Sequence, residues 1–174
     1  MKIFDCFMFY DEELLLDIRL NILDKYIDFF VIVESEYFHN GKKRQLKFDI
    51  NKFKNFKKKI IYVVHKNEPS GIIRINDKDD EDTKSYKLIT NAHLRENDQR
   101  NHISRGLTEA DNNDLILISD VDEIPNFNSI DLSRVKNQIV MFEQVIFYYK
   151  FNRYLPNFKW FGTKACKKKK LISP

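Results

Sequence analysis

The run DFFVIVES, residues 28–35, puts five consecutive apolar residues between two acids. A strand with one wet face would alternate apolar and polar residues. An unbroken run is what a strand buried on both faces requires, and the usual setting is a parallel sheet covered by helices on both sides. Residues 2–10, KKIIYVV (58–64) and LILIS (115–119) have the same character. Between the first two strands, Leu15, Ile18, Ile22 and Tyr26 recur at helical spacing; Asp11, Glu12 and Glu13 suit the helix start and Lys25 its end. A polar loop over 65–82, closing in DKDDED, precedes a second helix from about 83 to 107. This rhythm predicts an α/β fold, an open and mostly parallel sheet with flanking helices. The segments 138–144 and 145–152 read as extra C-terminal strands, antiparallel to the rest.

Composition sets the remaining bounds. With 174 residues, 43% of them hydrophobic, the chain can bury the core of one domain spanning 1–174. A net charge of +4 is mild, and the lysine runs at 57–59 and 167–170 read as solvated surface. No basic-aromatic platform is patterned, so no nucleic-acid partner is expected. Cys6 and Cys166 form neither a CxxC pair nor a metal quartet, and Cys6, inside an apolar strand, reads as a buried free thiol. Asp5 interrupts the apolar start, which therefore reads as a strand rather than a signal peptide. No stretch is long and apolar enough for a transmembrane segment, so a cytoplasmic protein is the expectation.

Chemistry concentrates in ISDVDEIP, residues 118–125, where an apolar strand runs straight into three carboxylates and a proline. In an extended chain Asp120 and Asp122 point to the same side. Two carboxylates that close repel unless a cation or shared proton lies between them. A bare strand-to-turn junction needs one such acid at most. Two catalytic readings compete with that plain one. A divalent metal held by Asp120 and Asp122 could grip the diphosphate of a nucleotide-sugar, since Mg2+ and Mn2+ take carboxylate and phosphate oxygens. Alternatively, the pair could be the nucleophile motif of a haloacid-dehalogenase-type phosphatase. That enzyme needs its motif near the chain start, followed by Gly-Thr, whereas only 52 residues follow Asp122 here. About a hundred residues of nucleotide-binding sheet before the motif favour the first reading.

Several stretches, in order, carry a family resemblance: KIFDCFMFYDEELLLDIRLNIL, DFFVIVESEYFHNGKKRQLKF, RENDQRNHISRGL, LILISDVDEIP and FKWFGTKAC. They resemble glycosyltransferase family 17, the β-1,4-mannosyl-glycoprotein N-acetylglucosaminyltransferases among its members. The resemblance implies a GT-A-type fold, a UDP-GlcNAc donor, a glycan acceptor, a Mn2+ or Mg2+ cofactor and inverting transfer. Members of the family continue into a C-terminal part that builds the acceptor side. The expectation is therefore an acceptor region that is short or missing here, or supplied by a partner chain. A truncated homologue that binds nucleotide-sugar without transfer is the alternative function.

Further candidates follow from position. Ile89, His93, Glu96, Arg100, Ile103 and Leu107 share one helical stripe expected to face the sheet. Arg100 either braces that helix through Glu96 or reaches a donor phosphate or hydroxyl, which its planar guanidinium suits. Glu34, ending the second strand, either caps a turn or contacts the donor nucleoside. YFHNGKKR after it is a candidate donor-side loop turning at Gly41, with His39 read as a surface histidine. Glu143 is the one candidate general base after the aspartate pair, because inversion needs a base beside the sugar.

Overall fold

The computed structural model describes residues 1–128, 130–150 and 152–174. Its sheet has six strands: β1 (Ile3–Phe9), β2 (Phe29–Ser35), β3 (Ile60–His65), β4 (Leu115–Ser119), β5 (Val140–Gln144) and β6 (Trp160–Lys167). Their spatial order is β3-β2-β1-β4-β6-β5. The first four are mutually parallel, and β6 runs antiparallel to both β4 and β5. The α/β architecture with a mostly parallel sheet is the one the apolar runs predict. Helix α1 (Glu13–Leu23) links β1 to β2, and α2 (Glu81–Asn101) precedes β4. No helix among the described residues is long and apolar enough to cross a membrane.

Strand alternation divides the core. Phe7, Phe9, Phe30, Ile32, Leu115 and Leu117 pack on one face with Leu16, Leu20 and Leu23 of α1. Phe4, Cys6, Val31, Val33 and Ile116 pack on the other with Ile103 and Leu107. Cys6 is a buried free thiol, as its apolar surroundings predict, and burial pushes its pKa well up. The buried face of α1 is thus Leu16, Arg19, Leu20 and Leu23. It lies one residue on from the expected Leu15–Ile18–Ile22 stripe, whose Ile22 is exposed.

Three other expectations need correction. The second helix ends at Asn101, and a 3-10 helix, His102–Leu107, carries Ile103 and Leu107 onto the sheet. Gly106 permits that approach: a Cβ there would meet Val31 Cγ1 at 2.3 Å. The buried face of α2 is Asn91, Arg95 and Gln99, while Ile89 is exposed. Polar side chains face inward because each has a backbone or acidic partner. Asn91 exchanges two 2.8 Å hydrogen bonds with the backbone of Ile73. Arg95 donates to Glu68 and the His39 carbonyl, and Gln99 donates to the Val33 carbonyl at 3.0 Å. Finally, residues 145–152 form no strand among the described residues, and Phe151 within that range lies outside them. The partner of β5 is instead β6, from the FKWFGTKAC segment.

Candidate functional site

The order of the strands says where to look. The chain moves outward from β1 to β2 and β3, then returns through α2 to place β4 on the opposite side of β1. The carboxyl ends of β1 and β4 therefore flank a switch point, the place where open α/β sheets bind ligands. A groove of about 710 Å3 opens there, lined by Tyr10 and Glu12 after β1 and by Asp120, Val121 and Asp122 after β4. Phe38, His39 and Asn40 form its rim. The loop expected on the donor side thus lies at this groove, with His39 exposed. Gly41 turns it at φ +84°, a left-handed conformation natural to glycine, and a Cβ there would come within 2.5 Å of Arg95 Nη2.

The two aspartates follow β4 rather than belonging to it. Glu123 N–H donates to the Asp120 carbonyl at 3.1 Å, closing a turn, so strand alternation does not set their directions. What sets the turn is a buried ion pair. Arg19 and Asp5 are both fully buried, joined by two hydrogen bonds of 2.8 and 2.7 Å. The same guanidinium donates to Ser119 Oγ at 2.5 Å and to the carbonyls of Asp120, Val121 and Glu123 at 3.0, 3.2 and 3.0 Å. Asp5, Phe7 and Phe9 share one face of β1, Ser119 shares it on β4, and α1 lays Arg19 across it. Two sequence signals mark this lock: Asp5 breaks an apolar strand, and Arg19 breaks the leucine face of α1.

On the groove side, Asp120 is 51% exposed and accepts from Arg100 at 3.0 Å. Arg100 also reaches Glu96, the bracing acid expected for it, at 3.3 Å. Asp122 is exposed, and its carboxylate has no protein partner among the described residues. Glu34 does not join them. It is fully buried, accepting from Lys47 N–H (2.6 Å), Phe48 N–H (3.1 Å) and Tyr62 Oη (2.8 Å), and paired with Arg44 at 3.0 Å. Its oxygens hold the 36–48 loop to the sheet, which corrects the donor-contact reading. Burial, followed by the bond to Glu34, pushes the Tyr62 hydroxyl well above its ordinary pKa.

Glu143 lies elsewhere, exposed on β5 and paired with Lys159 at 3.0 Å. It borders a second groove, of about 740 Å3, that also contains Asp122, Glu123 and Trp160. Among the described residues, His65, Asp98 and His102 form the one group of three ligand-type side chains close enough to share an ion. Its atoms already satisfy one another. His65 Nε2 meets Asp98 at 2.7 Å and Nδ1 meets Ser35 Oγ at 3.0 Å, while His102 Nδ1 meets the Asp98 carbonyl at 2.8 Å. An ionised Asp98 can only accept, so the proton of a neutral His65 sits on Nε2. Burial lowers the His65 pKa, opposed by the bond to Asp98.

Comparison with known proteins adds one finding. No curated protein and no solved structure matches the chain. The model of glycosyltransferase family 17 matches residues 1–170, which takes in both aspartates, Arg19, Arg100 and every strand. On that match the chain belongs to glycosyltransferase family 17.

Proposed function

We propose that this glycosyltransferase transfers N-acetylglucosamine from UDP-GlcNAc to a glycan acceptor with inversion, on a GT-A-type scaffold and with a divalent cation. The observation that carries the reading is the switch-point groove ending in a locked Asp120–Asp122 turn. The donor set fits Mn2+ or Mg2+: hard carboxylate oxygens, that of Asp122 without a protein partner among the described residues, in a groove open enough for phosphate oxygens to complete the shell. Asp120 and Asp122 would hold the ion, whose chemistry is to neutralise charge on the departing diphosphate.

The chain's own residues have the remaining roles. Arg19 fixes the turn from beneath. Arg100, beside Asp120, orients that carboxylate and presents a guanidinium to the diphosphate. In the transfer, an acceptor hydroxyl oxygen bonds to the anomeric carbon as the bond to UDP breaks with its electron pair, and the hydroxyl proton passes to a carboxylate. Glu143 is the proposed base, released from Lys159 as acceptor enters. The test is a panel of nucleotide-sugars scored by thermal stabilisation with and without Mn2+. UDP-GlcNAc at a hundredfold excess over its Kd should add about 2.7 kcal/mol, and only with the metal. Equal stabilisation without metal, or a preference for another nucleotide, would overturn the assignment.

A further inference from the structure

The second groove is not a separate hollow. Leu15 and Asp122 line both grooves, so the two share a wall at the outer aspartate of the turn. With the first groove read as the donor site, a ligand in the second would meet the donor across Asp122. We infer that this second groove is an oligosaccharide subsite in which the Trp160 ring stacks on a sugar of the acceptor. The inference rests on the glycosyltransferase reading above and places the acceptor side between α1, the aspartate turn and Trp160.

Trp160 is built for that task. Its Nε1–H donates to Glu123 Oε1 at 2.7 Å, which satisfies the indole's one donor and pins one edge of the ring. Glu123 is itself fixed: Oε2 accepts from Asp120 N–H at 2.9 Å, and its carbonyl accepts from Thr163 Oγ1 at 2.9 Å. The neighbouring Gly162 lets these groups close up, because a Cβ there would lie 2.5 Å from both Glu123 Cδ and Gln144 Oε1. Yet the tryptophan remains 41% exposed. A rigid aromatic ring with a free surface supplies contact area at small entropic cost.

The polar complement narrows the ligand class. Gln144 Oε1 accepts from Thr163 N–H and Asn126 Oδ1 from Asn128 N–H, which leaves both amide nitrogens as donors. Asp122 and Glu143 offer acceptors. Donors and acceptors around an aromatic face match a neutral polyol. An anionic ligand would meet three lining carboxylates, Asp122, Glu123 and Glu143, with no lysine or arginine among the described lining residues.

Trp160 is the chain's only tryptophan, so its emission reports on this groove alone. Titrating the intact protein with chitotriose and with mannotriose should shift that emission saturably for at least one of them, with UDP-GlcNAc and Mn2+ present. Trp160→Ala should weaken binding of the same trisaccharide at least tenfold by calorimetry, and Trp160→Phe should restore most of it. Stabilisation of Trp160→Ala by UDP-GlcNAc and Mn2+ should stay within threefold in apparent affinity. That measurement separates failure of the donor reading from failure of this one. Donor binding with no emission change for either trisaccharide, equal loss in the Phe variant, or emission that changes only on dilution of the protein would overturn the inference, the last marking self-association instead.

Discussion

Asp122 and Arg19 illustrate two ways a single residue can matter. Asp122 is exposed, and its carboxylate makes no hydrogen bond or ion pair among the described residues. Asp122→Asn should therefore change stability by no more than about 0.5 kcal/mol while abolishing Mn2+-dependent UDP binding, measured by calorimetry with and without metal. Retained binding with unchanged metal dependence would remove Asp122 from the site. Arg19 is the opposite case, wholly buried and bonded to Asp5, Ser119 and three carbonyls of the turn. Arg19→Met strands a buried carboxylate at Asp5, and such losses cost about 3–5 kcal/mol. Adding Asp5→Leu removes the orphaned charge, so the double variant should regain much of that stability in urea titrations. It should not regain UDP affinity, because the turn carbonyls stay unheld. Recovery of both properties would show that the turn needs no lock.

At the scale of elements, β1 to β4 and their parallel direction were legible in the sequence because strands buried on both faces leave unbroken apolar runs. The aspartate pair stood out in the sequence for a related reason, since three acids directly after such a run are more than a turn requires. The inward face of α2 was not. Asn91, Arg95 and Gln99 look like a solvent face, and the backbone groups and the Glu68 carboxylate that they meet make them internal. Strand β6 was hidden too, because its exposed Trp160, Phe161 and Lys164 blur the burial pattern. Elements joined by polar contacts also carry pH dependence. His65 ties β3 to Asp98 of α2 and meets His102 edge to face, ring centres 4.3 Å apart. Its pKa is lowered in the fold, by burial first and then by His102, against the bond to Asp98. Above its ordinary value of 6.5 the ring is neutral in both folded and unfolded chains. As pH falls below that, the unfolded chain takes up the proton first, and stability declines until the folded ring titrates too. The Tm should thus drop from pH 7.5 to 5.5 by more in the wild type than in His65→Gln; equal drops would deny His65 the role.

The whole molecule is closed by its C-terminal lysines, which the sequence presents as a solvated run. Lys168 Nζ donates to the carbonyls of Leu107 and Ala110 at 2.7 and 2.6 Å, where the 102–107 helix ends. Lys167 Nζ donates to the Asn113 carbonyl at 2.9 Å. These bonds fasten the end of β6 to the approach to β4, so two of the four lysines are structural rather than a free basic patch. Hydrogen bonds from a charged donor contribute about 1.5–3 kcal/mol, and Lys168→Met should lower the urea midpoint accordingly, with a single transition preserved. An unchanged midpoint would make the clasp incidental. The lock beneath the aspartate turn has a consequence of another kind. Since Arg19 grips three of the turn's carbonyls, the protein itself supplies the contacts that order the turn. A ligand then spends none of its interaction energy on organising backbone, and preorganisation of this sort strengthens binding by removing that entropic cost. The amides of Asp120 and Glu123, bonded to Glu123 Oε2 and the Asp120 carbonyl, should accordingly be protected from hydrogen exchange in the free protein, with UDP and Mn2+ slowing them little further.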